Sequence, residues 1–167
     1  VVDINNNSEN PIINIRSYGD KAETVEKYSI PFIKGLQSKN IISCSKHYPG
    51  HGNTSTDSHT SLPTIEGTKE EIEKMELVPF QAAVDIGAEM IMIGHIAMPG
   101  LDESGTAATH SNIITTDILK NQMGFNGIVV TDALEMGALT KSSWAGESAI
   151  RAIEAGSDIL LLPISVD

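Results

Sequence analysis

Five short apolar runs punctuate the chain, at residues 1–5, 41–47, 90–95, 127–132 and 158–163, with room for one helix between each pair. None alternates cleanly between apolar and polar; each is apolar almost throughout, the pattern of strands covered on both faces. The segments between them read as helices. Residues 20–37 place Val25, Tyr28, Phe32, Ile33 and Leu36 near a 3.6-residue period, although Pro31 should break or kink the helix. Thr68 with Glu71 three residues on is a capping box for a helix running toward Gly87. Thr115 or Thr116 is placed to cap a third helix ended at Gly124, and residues 147–155 form a fourth, stopped by Gly156.

A weak internal repeat supports this alternation. Residues 83–91 and 152–160 share one pattern of helix end, glycine, acidic residue and strand, and Gly87 and Gly156 lie 69 positions apart. That is about two βα units of 30-odd residues each. Strand–helix–strand alternation implies a parallel sheet with helices outside it. Polar residues gather at the strand ends: Lys46 and His47 on the second, His95 on the third, Asp132 on the fourth. Charged groups at the carboxyl ends of successive parallel strands match the active face of a (β/α)8 barrel. A doubly wound sheet would bring a Gly-rich phosphate turn, and no Gly-x-Gly-x-x-Gly follows any of the runs. The fold class expected is α/β, a partial (β/α)8 TIM barrel of about five βα units. Residues 1–167 are expected to be a fragment of a single such domain: five strands do not close a barrel, so either the chain is a piece of a longer one or the missing strands come from elsewhere.

The stretch from Lys46 to Pro63 packs three His, a Lys and an Asp among glycines and prolines. Pro49, Gly50 and Gly52 exclude a continuous helix there. A long polar loop costs ordering entropy and buries little, so it is read as an active-site loop on a rigid scaffold. A net charge of −11 and a pI near 4.7 argue against nucleic acid as a partner, since neutralising phosphates requires clustered Lys and Arg. No window is long and apolar enough for a membrane span. The chain opens without Met or a signal peptide, which leaves the compartment open. Cys44, the single cysteine, excludes an internal disulfide and reads as a small buried side chain inside an apolar run.

Several groups are equipped for chemistry. In Asp57-Ser58-His59 a carboxylate precedes an imidazole by two residues, close enough in a turn to fix one tautomer and stabilise the imidazolium for proton transfer. The alternative is an Asp that caps the loop backbone beside an exposed His59. Asp132 ends a strongly apolar strand, either as a nucleophile or as a helix cap. Of Lys46 and His47, regular pleating would turn only one inward, unless the strand end frays. Arg16 is a forked donor in the loop after the first strand, for ligand hydroxyls or for a structural ion pair. His47, His51, His59 and His95 with Asp57 compose a candidate zinc set, but no His-x-x-x-His falls on a helix, and no metal or other cofactor is expected. His95 otherwise reads as a satisfied strand-end residue and His110 as part of a solvated loop.

The segment Lys46-His47-Tyr48-Pro49-Gly50-His51-Gly52-Asn53-Thr54, with Asp57-Ser58-His59 and Leu62-Pro63, closely resembles the signature of β-N-acetylglucosaminidases of glycoside hydrolase family 3. Ile118-Leu119-Lys120 and the run from Gly124 to Leu134 around Asp132 resemble that family's nucleophile segment. Asn10-Pro11, Ile15-Arg16-Ser17-Tyr18-Gly19 and Gly94-His95-Ile96-Ala97-Met98-Pro99 fit as well, so the resemblance covers nearly the whole chain. It implies a (β/α)8 barrel that hydrolyses terminal β-linked N-acetylglucosamine with retention, on glycoconjugates or cell-wall fragments. The chain would run from the third barrel strand to the seventh, with the rest of the barrel as its partner. The upstream segment carrying another sugar-binding Asp of the family is not in this sequence. Asp132 matches the nucleophile and His59 the general acid/base, partnered by Asp57; Arg16, Lys46 and His47 match residues that hold the sugar. A phosphorylase on the same scaffold, or an inactive barrel fragment, are the alternatives. Asn53 stands where the family often has Asp, which should alter loop hydrogen bonding rather than the chemistry.

Overall fold

The computed structural model describes residues 1–140 and 144–163. Its framework is one parallel sheet of four strands in sequential order, β1 (Cys44–Tyr48), β2 (Met90–Ile93), β3 (Ile128–Ala133) and β4 (Ile159–Leu161). Helices occupy the connections, α1 (Ala22–Gln37), α2 (Lys69–Lys74), α3 (Val78–Asp85), α4 (Ile113–Gln122), α5 (Gly137–Thr140) and α6 (Ala145–Ala155). The arrangement is a partial α/β barrel.

Residues 1–5 lie beside β1, tied through Val2 N–H to the Lys46 carbonyl at 2.8 Å, with Val2 and Ile4 buried. They form no regular ladder, so among the described residues four strands stand where five were expected. The second run also begins differently. Ile41 donates its N–H to the Leu36 carbonyl, closing the end of α1, so Ile41 and Ile42 belong to the helix exit and are about half exposed.

The register explains what is buried. Ser45, Ile91 and Val129 stand in one row across three strands and are buried, while the neighbouring row, Cys44, Met90 and Ile128, is exposed or half-buried. The first row faces the helices, where Val25, Ile72, Phe80, Ile118 and Leu119 meet Ile91, Ile93 and Val129 in one core. Each such isoleucine contributes about 2 kcal/mol by leaving water. The second row lies on the opposite face, which is less completely covered: Cys44 is exposed, Met90 and Ile128 are half-buried, and Val130 is buried. Strands that read as covered on both sides are covered unevenly, and Cys44 is exposed rather than buried.

The helices follow their local signals with instructive departures. α1 runs through Pro31 without ending, held on the core by Val25, Ser29 and Ile33, while Tyr28 and Phe32 stay exposed. The capping box is present, with Thr68 N–H on Glu71 Oε2 at 2.8 Å and Glu71 N–H on Thr68 Oγ1 at 3.3 Å. The helix it starts stops at Lys74, and α3 begins anew with Pro79 in its first turn, where a missing N–H costs no helical bond. Ser111, not Thr115 or Thr116, accepts from the start of α4, through the Ile114 N–H. The two threonines instead tie that helix to the Ala108 and Ala155 carbonyls. The repeat is geometric as well: Ala88 N–H reaches Ala83 O and Ser157 N–H reaches Ala152 O, around Gly87 and Gly156 in left-handed conformations.

Two irregularities prepare the site. The β1–β2 register slips between Ser45 and Tyr48, and the β3–β4 register slips between Val130 and Ala133. Each is a bulge at the carboxyl end of its strand, a device that re-aims side chains.

Candidate active site

The bulge in β1 carries Lys46 and His47 and suspends the strict alternation that would turn only one of them inward. His47 is buried and its Nδ1 lies 2.9 Å from Asp3 Oδ2. Asp3 is wholly buried and also accepts the His47 N–H on both oxygens and the His51 N–H at 2.8 Å. Burial alone would push this carboxyl's pKa up; the His47 ring and the converging N–H donors outweigh it and hold the pKa below its ordinary value. Glycine is obligatory at Gly52, because a Cβ there would collide with the Ile4 carbonyl oxygen. The loop's first turn is thus clamped against residues 3–5.

Further along, Asp57 and His59 meet on the exposed part of the loop. His59 donates its backbone N–H to Asp57 Oδ1, and its Nδ1 lies 2.8 Å from the same oxygen. The cap and the carboxylate–imidazole pair, separate readings of the spacing, coexist. The backbone bond first, then the ring, holds the Asp57 carboxyl below its usual range. Ser58 and His59 in turn offer their carbonyls to Ala138 and Gly137 N–H at 3.1 and 3.2 Å. A Cβ on Gly137 would stand 2.5 Å from the His59 carbonyl oxygen, so glycine permits this approach. The loop therefore docks on the segment that follows Asp132.

Asp132 sits in the β3 bulge, half-buried, with Oδ1 accepting the Ala133 N–H at 2.8 Å. Its charge acts on Cys44, His51 and His95, which sets it among side chains of β1, the loop and β2. Arg16 ends a short turn (Asn14–Arg16) after the first segment and spends its Nε–H on the Ile12 carbonyl at 2.9 Å. The structure brings Lys46, His47 and Asp132 to one end of the sheet and anchors the His59 loop there; Arg16 stands on the loop after residues 1–5, the segment that flanks β1.

The remaining histidines are structured. His95 is buried between Thr109 and the Ala133 carbonyl. His110, expected in a solvated loop, is half-buried on Ser148 Oγ at 2.9 Å, and burial with Arg151 nearby lowers its pKa to about 4. Among the described residues no three His, Cys, Asp or Glu side chains are gathered so as to hold a metal ion. Asn53 and Glu76 line one surface hollow, so an Asp at position 53 would bring two carboxylates near each other.

Two participants went unread in the sequence. Asp3 lies within a core run, and a carboxylate amid Val and Ile requires buried donors and is itself a signal. His51, a candidate metal ligand by spacing, instead holds Ser58 Oγ through its Nε2 at 3.0 Å, joining the two halves of the loop.

Residues 1–166 match the model of the glycosyl hydrolase family 3 N terminal domain. Beta-hexosaminidase A of Pseudoalteromonas piscicida is 35% identical over 99% of this chain and 29% of its own length. The solved family 3 beta-N-acetylglucosaminidase of Paenibacillus sp. str. FPU-7 superposes with a TM-score of 0.93 at 40% identity, over 96% of this chain and 31% of that one. A beta-glucoside phosphorylase, BglX, superposes at 0.94 with 28% identity, over 98% and 31%. The chain thus spans about three-tenths of each of these proteins. No described helix is long and apolar enough to cross a membrane.

Proposed function

Because the chain belongs to glycosyl hydrolase family 3, we propose that the protein is a retaining glycoside hydrolase releasing terminal β-linked N-acetylglucosamine. Asp132 is the nucleophile and His59, partnered by Asp57, the general acid/base. The observation that carries this reading is the 2.8 Å Asp57–His59 contact on a loop hydrogen-bonded to the segment just after Asp132. It favours two opposed functional groups at one rim. Asp132 attacks the anomeric carbon as the glycosidic C–O bond breaks, and the imidazolium of His59 gives its proton to the departing oxygen. Neutral His59 then takes a proton from water, whose oxygen displaces Asp132 and frees the sugar. Lys46, His47 and Arg16 hold hydroxyl and acetamido groups. A histidine in place of a second carboxylate avoids like-charge repulsion beside the covalent intermediate.

In the full-length enzyme Asp132→Ala is expected to lower turnover of an aryl β-N-acetylglucosaminide by about 10⁴-fold or more. Retained activity would overturn the assignment. His59→Ala is expected to hurt substrates with poor leaving groups more than activated aryl ones; equal loss on both would remove it as the acid. The BglX likeness favours a second reading, since an imidazole also tolerates an anionic acceptor. In phosphate buffer a phosphorylase would release sugar 1-phosphate, and release of free sugar alone would dismiss that reading.

A further inference from the structure

The β2–β3 ladder pairs residues from Met90↔Ile128 to Ile93↔Thr131 and goes no further; His95 and Ala133 each lie two residues beyond its last pair. There the backbone ladder gives way to a side chain: His95 Nε2 lies 2.9 Å from the Ala133 carbonyl oxygen. A carbonyl only accepts, so Nε2 carries the proton, and in the neutral ring Nδ1 is the acceptor. Thr109 Oγ1, 2.7 Å from Nδ1, then donates into the ring, its 3.2 Å approach to the Gly94 carbonyl being secondary. His95 and Thr109 are both buried. On the other flank of the bulge, Thr131 Oγ1 accepts the Leu161 N–H at 3.0 Å, and Leu134 N–H reaches the Leu161 carbonyl at 2.9 Å. The peptide that follows Asp132 is therefore held from both sides, and that same residue's N–H occupies Asp132 Oδ1.

We propose that His95, oriented by Thr109, is a positioning residue that pins the Ala133 carbonyl so that Asp132 is held with Oδ1 engaged and Oδ2 turned to the anomeric carbon. The proposal rests on the reading of Asp132 as nucleophile. A histidine suits the task because a buried ring spans two partners with one donor and one acceptor, and burial keeps it uncharged beside the carboxylate. Nothing in this role touches substrate, so its loss should slow attack without weakening binding.

The test is burst kinetics of the full-length enzyme with an activated aryl β-N-acetylglucosaminide, where the burst rate reports attack by Asp132 and the burst amplitude counts competent sites. Thr109→Val, which keeps the shape and removes the hydroxyl, is expected to slow the burst about tenfold at full amplitude, with the substrate concentration that half-saturates the burst rate unchanged, and Thr109→Ser to recover most of the rate. His95→Phe should lose about 10²-fold, and His95→Gln, which retains an amide donor, markedly less. A Thr109→Val burst at the wild-type rate, or a smaller amplitude at unchanged rate, overturns the proposal; the second outcome marks a residue that only supports folding. Should His95→Phe fail to fold, the Thr109 pair decides. Asp132→Ala run alongside separates the two failures, since residual turnover there removes the nucleophile itself, whereas a dead Asp132→Ala with a normal Thr109→Val removes the positioning role alone.

Discussion

Two Asp–His pairs of nearly equal length, each with the histidine's own backbone N–H on the same carboxylate, differ in burial. Asp3 and His47 meet at 2.9 Å with side chains 0% and 5% exposed, whereas Asp57 and His59 meet at 2.8 Å with 37% and 64% exposed. In the first, the carboxylate is out of water and takes its N–H donors from the peptide groups of His47 and His51, so the pair is a fixed piece of wall. In the second, both groups reach solvent, so a proton can come and go. Contact distance says nothing about role; burial separates the fixed pair from the solvent-exposed one.

Removing one partner sharpens that contrast most. Asp3→Ala should destabilise the fold by about 3–5 kcal/mol, because buried donors lose their only anion; denaturant melts read it, and a loss below about 1 kcal/mol would erase the distinction. Asp57→Ala should cost less than about 1 kcal/mol in the same melts. It should nevertheless slow cleavage of poor leaving groups by about 10²-fold, through lost support of the acid.

Acid should strike the buried side first. Burial lowers the pKa of His51, His95 and His110, the last to about 4. Below the ordinary histidine value of 6.5 the unfolded chain takes up protons that these folded rings refuse, so their stability contribution is complete above 6.5 and drains as pH falls, for His110 down to about 4. Asp3, with a lowered carboxyl pKa, adds a second loss below its ordinary 3.8. Glu76, pushed up by burial, pulls the other way, losing stability as pH rises above 4.5. The melting temperature should fall steadily from pH 6.5 toward 4, and a rise over that interval would contradict the assignment of neutral buried rings. The smallest effect is expected at Asn53→Asp, which sets a carboxylate near Glu76 and should cost about 0.5 kcal/mol at pH 7, fading toward pH 4 as Glu76 takes a proton.

Much of the fold was legible because its signals are short. The Thr68–Glu71 box, the left-handed Gly87 and Gly156, and the Asp57–His59 spacing each lie within a few residues, where little chain entropy separates the pattern from the contact. Features that depend on neighbours far along the chain were not. Pro79 restarts a helix that periodicity alone would extend, Ile41 and Ile42 look like strand until the end of α1 claims them, and Cys44 looks buried until its row proves to lie on the less covered face. The β1 and β3 bulges left no mark in the spacing, yet they put Lys46, His47 and Asp132 where they stand.

By itself the sequence determined the alternation of strands and helices, the loop that bears the polar groups, and the family. Only the tertiary structure decided which carboxylate is a buried anchor and which an exposed partner. Asp3 and His47 are 44 residues apart, and bringing them together is the work of loop closure and packed strands rather than of any local preference.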